Sequence, residues 1–208
     1  AQTVKDAQRM LARCAESGSF LVFNHQRRFA SCLRRLRNHI KNNGLGELTS
    51  VNAQWPSGRI GNVGTHVFDT ICMITGRRVE AISATLDTAG KPDCRGSQFV
   101  DPGGWGVMRL ENDLMVTVDA ADYSKAPWDL RINGTEGRAF VGGRTVSDVK
   151  LEYWDGRIEH WTNDIQQGTG MDVAVEEIVA WLDNRKDFEH DPREAVHVLE
   201  AIAAFHAS

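Results

Sequence analysis

The apolar positions change period several times along the chain, and each change marks a different kind of element. Residues 3–17 place Val4, Ala7, Met10, Leu11 and Cys14 three and four apart, which gathers them on one helical face; Gly18 follows as a stop. Residues 20–23, Phe-Leu-Val-Phe, form a short unbroken apolar run that reads as a buried strand. Leu33, Leu36 and Ile40 form the apolar stripe of a helix across 29–42, with arginines on its opposite, solvated face. From residue 47 the period drops to two, giving a strand to Trp55. Residues 65–75 return to an apolar helix that Gly76 ends.

Strands then dominate, at 79–87, 105–110, 114–121, 130–133, 138–142, 149–154 and 157–161. Between them stand turn residues: Glu111-Asn112-Asp113, Gly134-Thr135-Glu136-Gly137, Gly142-Gly143 and Asp155-Gly156, the last a clear two-residue hairpin. Residues 88–104, rich in glycine and proline, read as a longer loop. Two helices close the chain, at 171–184 and from Asp191 onward. Asp191-Pro192-Arg193-Glu194 is a helix start with a cap, a proline at the first position and a glutamate three after the cap. Strands in a run, flanked by helices, predict an α+β fold: one open, mostly antiparallel sheet with helices on one face. The other face is solvated or meets a partner. Met108, Leu110, Leu114, Val116 and Val118 suggest a subunit contact there.

Composition narrows the function classes. A net charge of −4 and no long basic tract exclude a nucleic-acid binder. The sequence has no apolar run of membrane-spanning length, so it predicts a soluble, cytoplasmic protein with no membrane partner. Cys14, Cys32, Cys72 and Cys94 form no C-x-x-C pair and read as reduced thiols. Glu159-His160 and His190-Asp191 are too scattered for a metal site, so no metal is expected.

Two stretches carry candidate chemistry. Residues 58–69 hold Gly58, Gly61 and Gly64, then Thr65 as a helix cap and His66 in the first turn. A side chain titrating near neutral pH, set on a rigid helix beside a loop, is suited to acid–base work. The plainer alternative is a histidine that only bonds its own loop. Asn24-His25-Gln26-Arg27-Arg28-Phe29 follows the apolar run at 20–23, and its polar groups suit hydroxyls, carboxylates or phosphates. Arg28 has packing as its alternative role. Trp55, leading into the glycine loop, is a candidate platform for a sugar ring, while core or interface packing suits the other tryptophans better. Asp119 and Asp122, beside Tyr123, are a possible carboxylate pair.

Taken in order, these motifs resemble the Gfo/Idh/MocA family of sugar and polyol oxidoreductases. The resemblance rests on residues 24–29, Gly44-Leu45-Gly46-Glu47, Gly64-Thr65-His66 with Asp69, residues 134–137 and the helix start at 191–194. It implies an N-terminal Rossmann domain for NAD or NADP and a C-terminal α+β domain that binds substrate and forms oligomers through its open sheet face. Residues 1–23 would then be the last helix and strand of the dinucleotide-binding domain, and 24–208 the substrate and oligomerisation domain. His66 matches the family's catalytic histidine, Arg27 a substrate-side arginine, and Asn62 a position the family often fills with aspartate. An amide there can orient a hydroxyl but cannot ionise. Gly58, Gly61 and Gly64 are not a dinucleotide fingerprint, because their spacing and context are wrong. The family's Glu-Lys-Pro motif would lie before Ala1, so no cofactor is expected in this chain itself.

Three functions follow. The first is the substrate domain of a sugar or polyol oxidoreductase, with His66, Asn62 and Arg27 at the reacting centre and His25, Arg28, Trp55, Thr65 and Tyr123 around the carbohydrate. The second is a shortened, cofactor-independent glycoside hydrolase or lyase that uses His66 with Arg27 or Asp122. The third is a non-catalytic homo-oligomeric binding module.

Overall fold

The computed structural model describes residues 3–56, 58–87, 92–93, 96–125, 127–142, 148–163, 170–184 and 190–208. Helix α1 (Val4–Ser17) starts at Thr3, whose hydroxyl accepts the Asp6 N–H at 3.1 Å, and ends at Gly18 with φ 66°. A short 3₁₀ turn (Gln26–Phe29) precedes α2 (Ser31–Lys41). Strand β1 (Leu48–Gln54) leads through one π-helical turn (Ile60–Gly64) into α3 (Thr65–Thr75). Next come β2 (Val79–Leu86), the small hairpin β3 (Pro92–Asp93) and β4 (Gly96–Val100), β5 (Gly104–Leu110) and β6 (Leu114–Ala120). Strands β7 (Asp129–Gly134), β8 (Gly137–Gly142), β9 (Asp148–Tyr153) and β10 (Ile158–Thr162) follow. Helices α4 (Gly170–Leu182) and α5 (Pro192–Ala207) close the chain.

Eight strands form one sheet in the order β10-β9-β8-β7-β1-β6-β5-β2. Every neighbouring pair is antiparallel except β1 with β6. The parallel pair needs a long crossover, and α3 with β2–β5 supplies it. The expected α+β class is thus the observed one. Helices α2, α3 and α5 cover one sheet face, and Trp55, Phe68 and Phe205 are fully buried between the layers. Their rings stack edge to face or tilted, with centroids 6.4 and 5.9 Å apart. Truncating a buried ring of this kind costs about 3–5 kcal/mol. Gly106 on β5 leaves room for Phe205, because a Cβ there would lie 2.6 Å from that ring.

Three expectations change. Residues 20–23 are not a strand: no described strand pairs with them, and Phe20 is 68% exposed with its ring edge-on to Trp181. An apolar run alone does not distinguish a paired strand from irregular chain packed on helices, and here Leu21, Val22 and Phe23 lie beside His190 and Pro192. Met108, Leu110, Leu114, Val116 and Val118 do not face a partner. They are buried under the helices, and Trp105, Val107 and Met115 take the open face instead. Strand alternation separates two faces without saying which one the helices choose. The open face is otherwise polar, with Asn133 donating to Ser50 and Asn52 to Thr117. Third, the loop at 88–104 contains the β3–β4 hairpin. Cys94 and Gly143 lie outside the described residues; Cys14, Cys32 and Cys72 are free thiols. No helix among the described residues is long and apolar enough to cross a membrane.

The glycine loop before α3 is held from outside itself. Gly58 has φ +64°, and a Cβ would fall 2.0 Å from the Asp122 carboxylate, so only glycine fits. Asp101, 2% exposed, accepts the Gly61 and Asn62 N–H groups at 2.6 and 2.7 Å. Bonds from amides to a buried carboxylate each contribute about 1.5–3 kcal/mol. Asp101→Ala should therefore lower the unfolding free energy by at least about 2 kcal/mol in urea titration. An unchanged midpoint would show that the loop does not depend on this carboxylate.

Candidate functional site

Helix α3 carries the site because of what its spacing separates. Val67, Phe68, Ile71 and Ile74 enter the core, while His66 and Asp69, three apart, share another face. Asp69 is 0% exposed. Its oxygens accept from Arg28 Nε at 2.9 Å, Arg28 Nη2 at 2.6 Å and His25 Nδ1 at 2.7 Å. The 3₁₀ turn at Gln26–Phe29 makes this possible by aiming consecutive polar residues at the middle of α3. Burial alone would raise the Asp69 pKa, but the bonds from His25 and Arg28 outweigh it and hold the carboxyl below its usual range. Burial likewise lowers the Arg28 pKa and its carboxylate partners reverse this, so its net shift is upward. The second partner is Glu194, which accepts from Arg28 Nη1. At the α5 start Asp191 caps the Arg193 N–H as expected, but Glu194 turns to Arg28 instead of reaching back to the cap.

Beside this anchored pair stand three polar groups with nothing to bond. Arg27 Nη1, His66 Nδ1 and Trp128 Nε1 are buried and have no hydrogen-bond partner among the described residues. The Arg27 guanidinium lies over the Trp128 ring, 4.7 Å from its centroid. Burial lowers the Arg27 pKa to about 10, with Asp69 opposing, so it stays charged at neutral pH. Burial, then the positive charge of Arg27 and of His25, push His66 down to about 4 against the pull of Asp69. His66 is therefore neutral near pH 7, its ring edge-on to His25 at 5.9 Å. Buried polar groups are normally satisfied. One cationic donor, one indole donor and one imidazole nitrogen suit a ligand rich in hydroxyl or carboxylate oxygens. A cavity of about 20 Å³ beside His25 and His190 has room for one water.

The other sequence candidates fall differently. Arg28 directs its guanidinium to Asp69 and Glu194, so it positions the site rather than presenting donors to a ligand. Trp55 is fully buried, donates to the Gly58 carbonyl at 2.8 Å and offers no ring face to a sugar. Thr65 is the first helical residue, not the cap: the π turn already satisfies the preceding amides, with Val63 and Gly64 N–H both directed at the Arg59 carbonyl. Tyr123 is 75% exposed and packs beside Trp105, with no contact to the His25 cluster among the described residues. Asp122 accepts the Gly103 N–H at 2.9 Å, a loop-holding role. Asn62 is tied through its backbone N–H to Asp101, outside the Asp69 cluster. No group of three metal-ligating side chains occurs among the described residues. Trp128 was missed as a site residue. It lies about a hundred positions from Arg27, and no local pattern links the two. Arg59 also stands out, with left-handed backbone at φ 64° and a buried, unpartnered Nε.

The model of the GFO/IDH/MocA C-terminal domain matches residues 33–140, half of the chain. The chain belongs to the Gfo/Idh/MocA family. No curated protein matches it. Among solved structures it is similar to the WlbA dehydrogenase from Bordetella pertussis in complex with NADH and UDP-GlcNAcA, at 20% identity and TM-score 0.77, covering 100% of this chain and 66% of that one. It is also similar to an inositol dehydrogenase homolog from Azotobacter vinelandii complexed with NADH and myo-inositol, at 11% identity and TM-score 0.77, covering 99% and 67%. A super-repressor mutant of Gal80p from Saccharomyces cerevisiae has the same fold, at 14% identity and TM-score 0.80, covering 100% and 67%. The chain thus spans about two thirds of the length of these Gfo/Idh/MocA-type structures.

The His66 shift fixes a pH signature. Its folded pKa of about 4 lies below the ordinary 6.5, so the unfolded chain binds the extra proton between those values. Stability is then lost as pH falls from about 6.5 through about 4, and nothing is lost at neutral pH. His66→Gln should flatten the melting temperature across that window, and NMR titration should show no His66 protonation above pH 5 or so. A His66 midpoint near 6.5 would contradict its burial beside Arg27.

Proposed function

We propose that this chain binds a carbohydrate or polyol beside Arg27, Trp128 and His66, as the substrate domain of a sugar oxidoreductase. The observation that carries the reading is the trio of buried, unpartnered polar atoms on those residues, next to a fully bonded Asp69–Arg28–His25 anchor. The nucleotide sugar and the polyol named for two structural neighbours, UDP-GlcNAcA and myo-inositol, agree with it. Arg27 would clamp ring oxygens while Trp128 supplies an aromatic edge and an indole donor. Neutral His66 would accept the proton of the reacting carbinol. Its low basicity means the proton does not rest there, and His25, held by Asp69, is the adjacent acceptor. Asn62 could orient a hydroxyl but not take its proton.

The sequence contains no G-x-G-x-x-G, so the described site does not fit a dinucleotide of that binding type. NAD or NADP would be held by another part of a full-length protein, where the nicotinamide supplies the hydride acceptor. In this reading residues 1–23 belong to that part and 24–208 to the substrate domain. Met171, Val175, Val179 and Leu182 are all 44% exposed or more along one stripe of α4, with Phe20 nearby. An apolar surface of that kind supports a covering domain. Trp105, Val107 and Met115 on the open sheet face support a homo-oligomer, and the free thiols support a reducing, cytoplasmic setting.

Asn62 and the one-water cavity beside His25 favour a second reading, cofactor-independent hydrolysis or elimination on a glycoside. The fold shared with Gal80p keeps a third, a non-catalytic binding module. Calorimetric titration with myo-inositol, free hexoses and a UDP-sugar tests the first. Saturable binding should weaken at least about tenfold, roughly 1.4 kcal/mol, in Arg27→Gln and in Trp128→Phe. No binding across the panel, or equal affinity in both variants, contradicts it. Turnover of aryl glycosides without nucleotide, abolished by His66→Gln, would establish the second reading instead.

A further inference from the structure

A cavity of about 240 Å³ opens behind the Asp69 anchor, between α2, the end of α3 and the start of α5. Four arginines line it, Arg28, Arg37, Arg77 and Arg78, against one carboxylate, Glu194. Arg28 is matched by Glu194 and Asp69. The side chains of Arg37, Arg77 and Arg78 make no ion pair and no hydrogen bond among the described residues. His197, also in the wall, does not add to the charge: its Nε2 accepts the Val79 N–H at 2.9 Å, and Nδ1 faces Glu200 at 3.5 Å. Glu111 is turned to the Arg78 backbone, accepting its N–H at 2.9 Å, and leaves the Arg78 guanidinium unpaired. The floor is Cys72, Met73 and Gly76.

Three guanidiniums lining one concave space, those of Arg37 and Arg78 on exposed residues, repel one another. The end of α3 offsets part of that through its carbonyl dipole, and the bonds to its last carbonyls, from the Gly76 N–H to Cys72 and from the Thr75 hydroxyl to Ile71, involve no arginine. What fits is an anion with several oxygens, because guanidinium forks match phosphate geometry in pairs. The space is large enough for a phosphate with a small carbon body.

We infer that the cavity lined by Arg37, Arg77 and Arg78 is a binding site for a compact phosphate-bearing small molecule, separate from the carbohydrate site, with Arg28, already bonded to Asp69 and Glu194, standing in its wall. The inference does not depend on the proposed function, since it concerns different residues and an anionic ligand. Calorimetric titration of the parent chain uses inorganic phosphate, pyrophosphate and a hexose phosphate, with the uncharged hexose as comparison. At least one of the phosphates binds saturably. In the double variant Arg37→Gln/Arg77→Gln, affinity for it falls at least about tenfold, and it falls in the parent when sodium chloride rises from about 0.05 to about 0.5 M. Binding of inorganic phosphate assigns the site to the phosphate itself; binding of the hexose phosphate alone assigns it to the ester. No saturable binding of any of the three up to about 10 mM, or equal affinity in the double variant, overturns the inference. Arg37 is exposed and Arg77 half-buried, and circular dichroism of the variant keeps loss of binding distinct from loss of fold.

Discussion

One buried carboxylate fixes the arrangement of this molecule. Asp69 is closed off from water on α3, and an ionised group there persists only if its oxygens are fully bonded. His25 and Arg28 supply those bonds from a turn more than forty positions earlier, and Arg28 extends the link to Glu194 on α5. A single charge thus ties the 3₁₀ turn, α3 and the start of α5 together. Because breaking a buried pair of this sort costs about 3–5 kcal/mol, the geometry around it is stiff. Arg27 and His66, which carry the unpartnered atoms, are sequence neighbours of this stiff frame and inherit its precision.

The frame in turn rests on an asymmetric sheet. All three covering helices lie on one face, where Val116, Met108 and Leu110 meet Phe68 and Phe205. That leaves the opposite face polar, with scattered apolar residues such as Val107 and Met115. The glycine loop is the weak point of such a design, because it must leave the sheet and start a helix within a few residues. Asp101 and Asp122 from the neighbouring β4–β5 and β6–β7 connections hold it in place. The two carboxylates therefore serve the site indirectly, by fixing where α3 begins.

Much of this was legible in the chain itself, for reasons that differ by element. Period-two spacing placed β1, β2 and β5–β10 to within a residue or two, and Gly18 and Gly76 marked helix ends because both need left-handed backbone. Local chemistry also singled out His25, Arg27, Arg28 and His66, which the fold gathers around Asp69. What failed were questions that local pattern does not encode. Alternation at 105–118 did not say which face the helices would cover. The run at 20–23 looked like a strand, but strand identity depends on a partner elsewhere in the chain. Trp55 and Trp128 are equally aromatic in sequence, and only the fold makes one a core residue and the other the neighbour of Arg27. Thr65 had a cap's chemistry, but the π turn before it removed the need for one.

Family membership explains the fold more firmly than it explains the chemistry, since one fold hosts many functions. The account of the site stands or falls on Asp69 being an ionised hub, so the decisive measurement is on Asp69→Asn, which keeps the shape and removes the charge. Chemical unfolding should show a loss of about 3–5 kcal/mol, and ¹⁵N spectra should show His25 losing the fixed Nδ1–H form that the carboxylate enforces. A loss below about 1 kcal/mol with unchanged His25 signals would contradict the account.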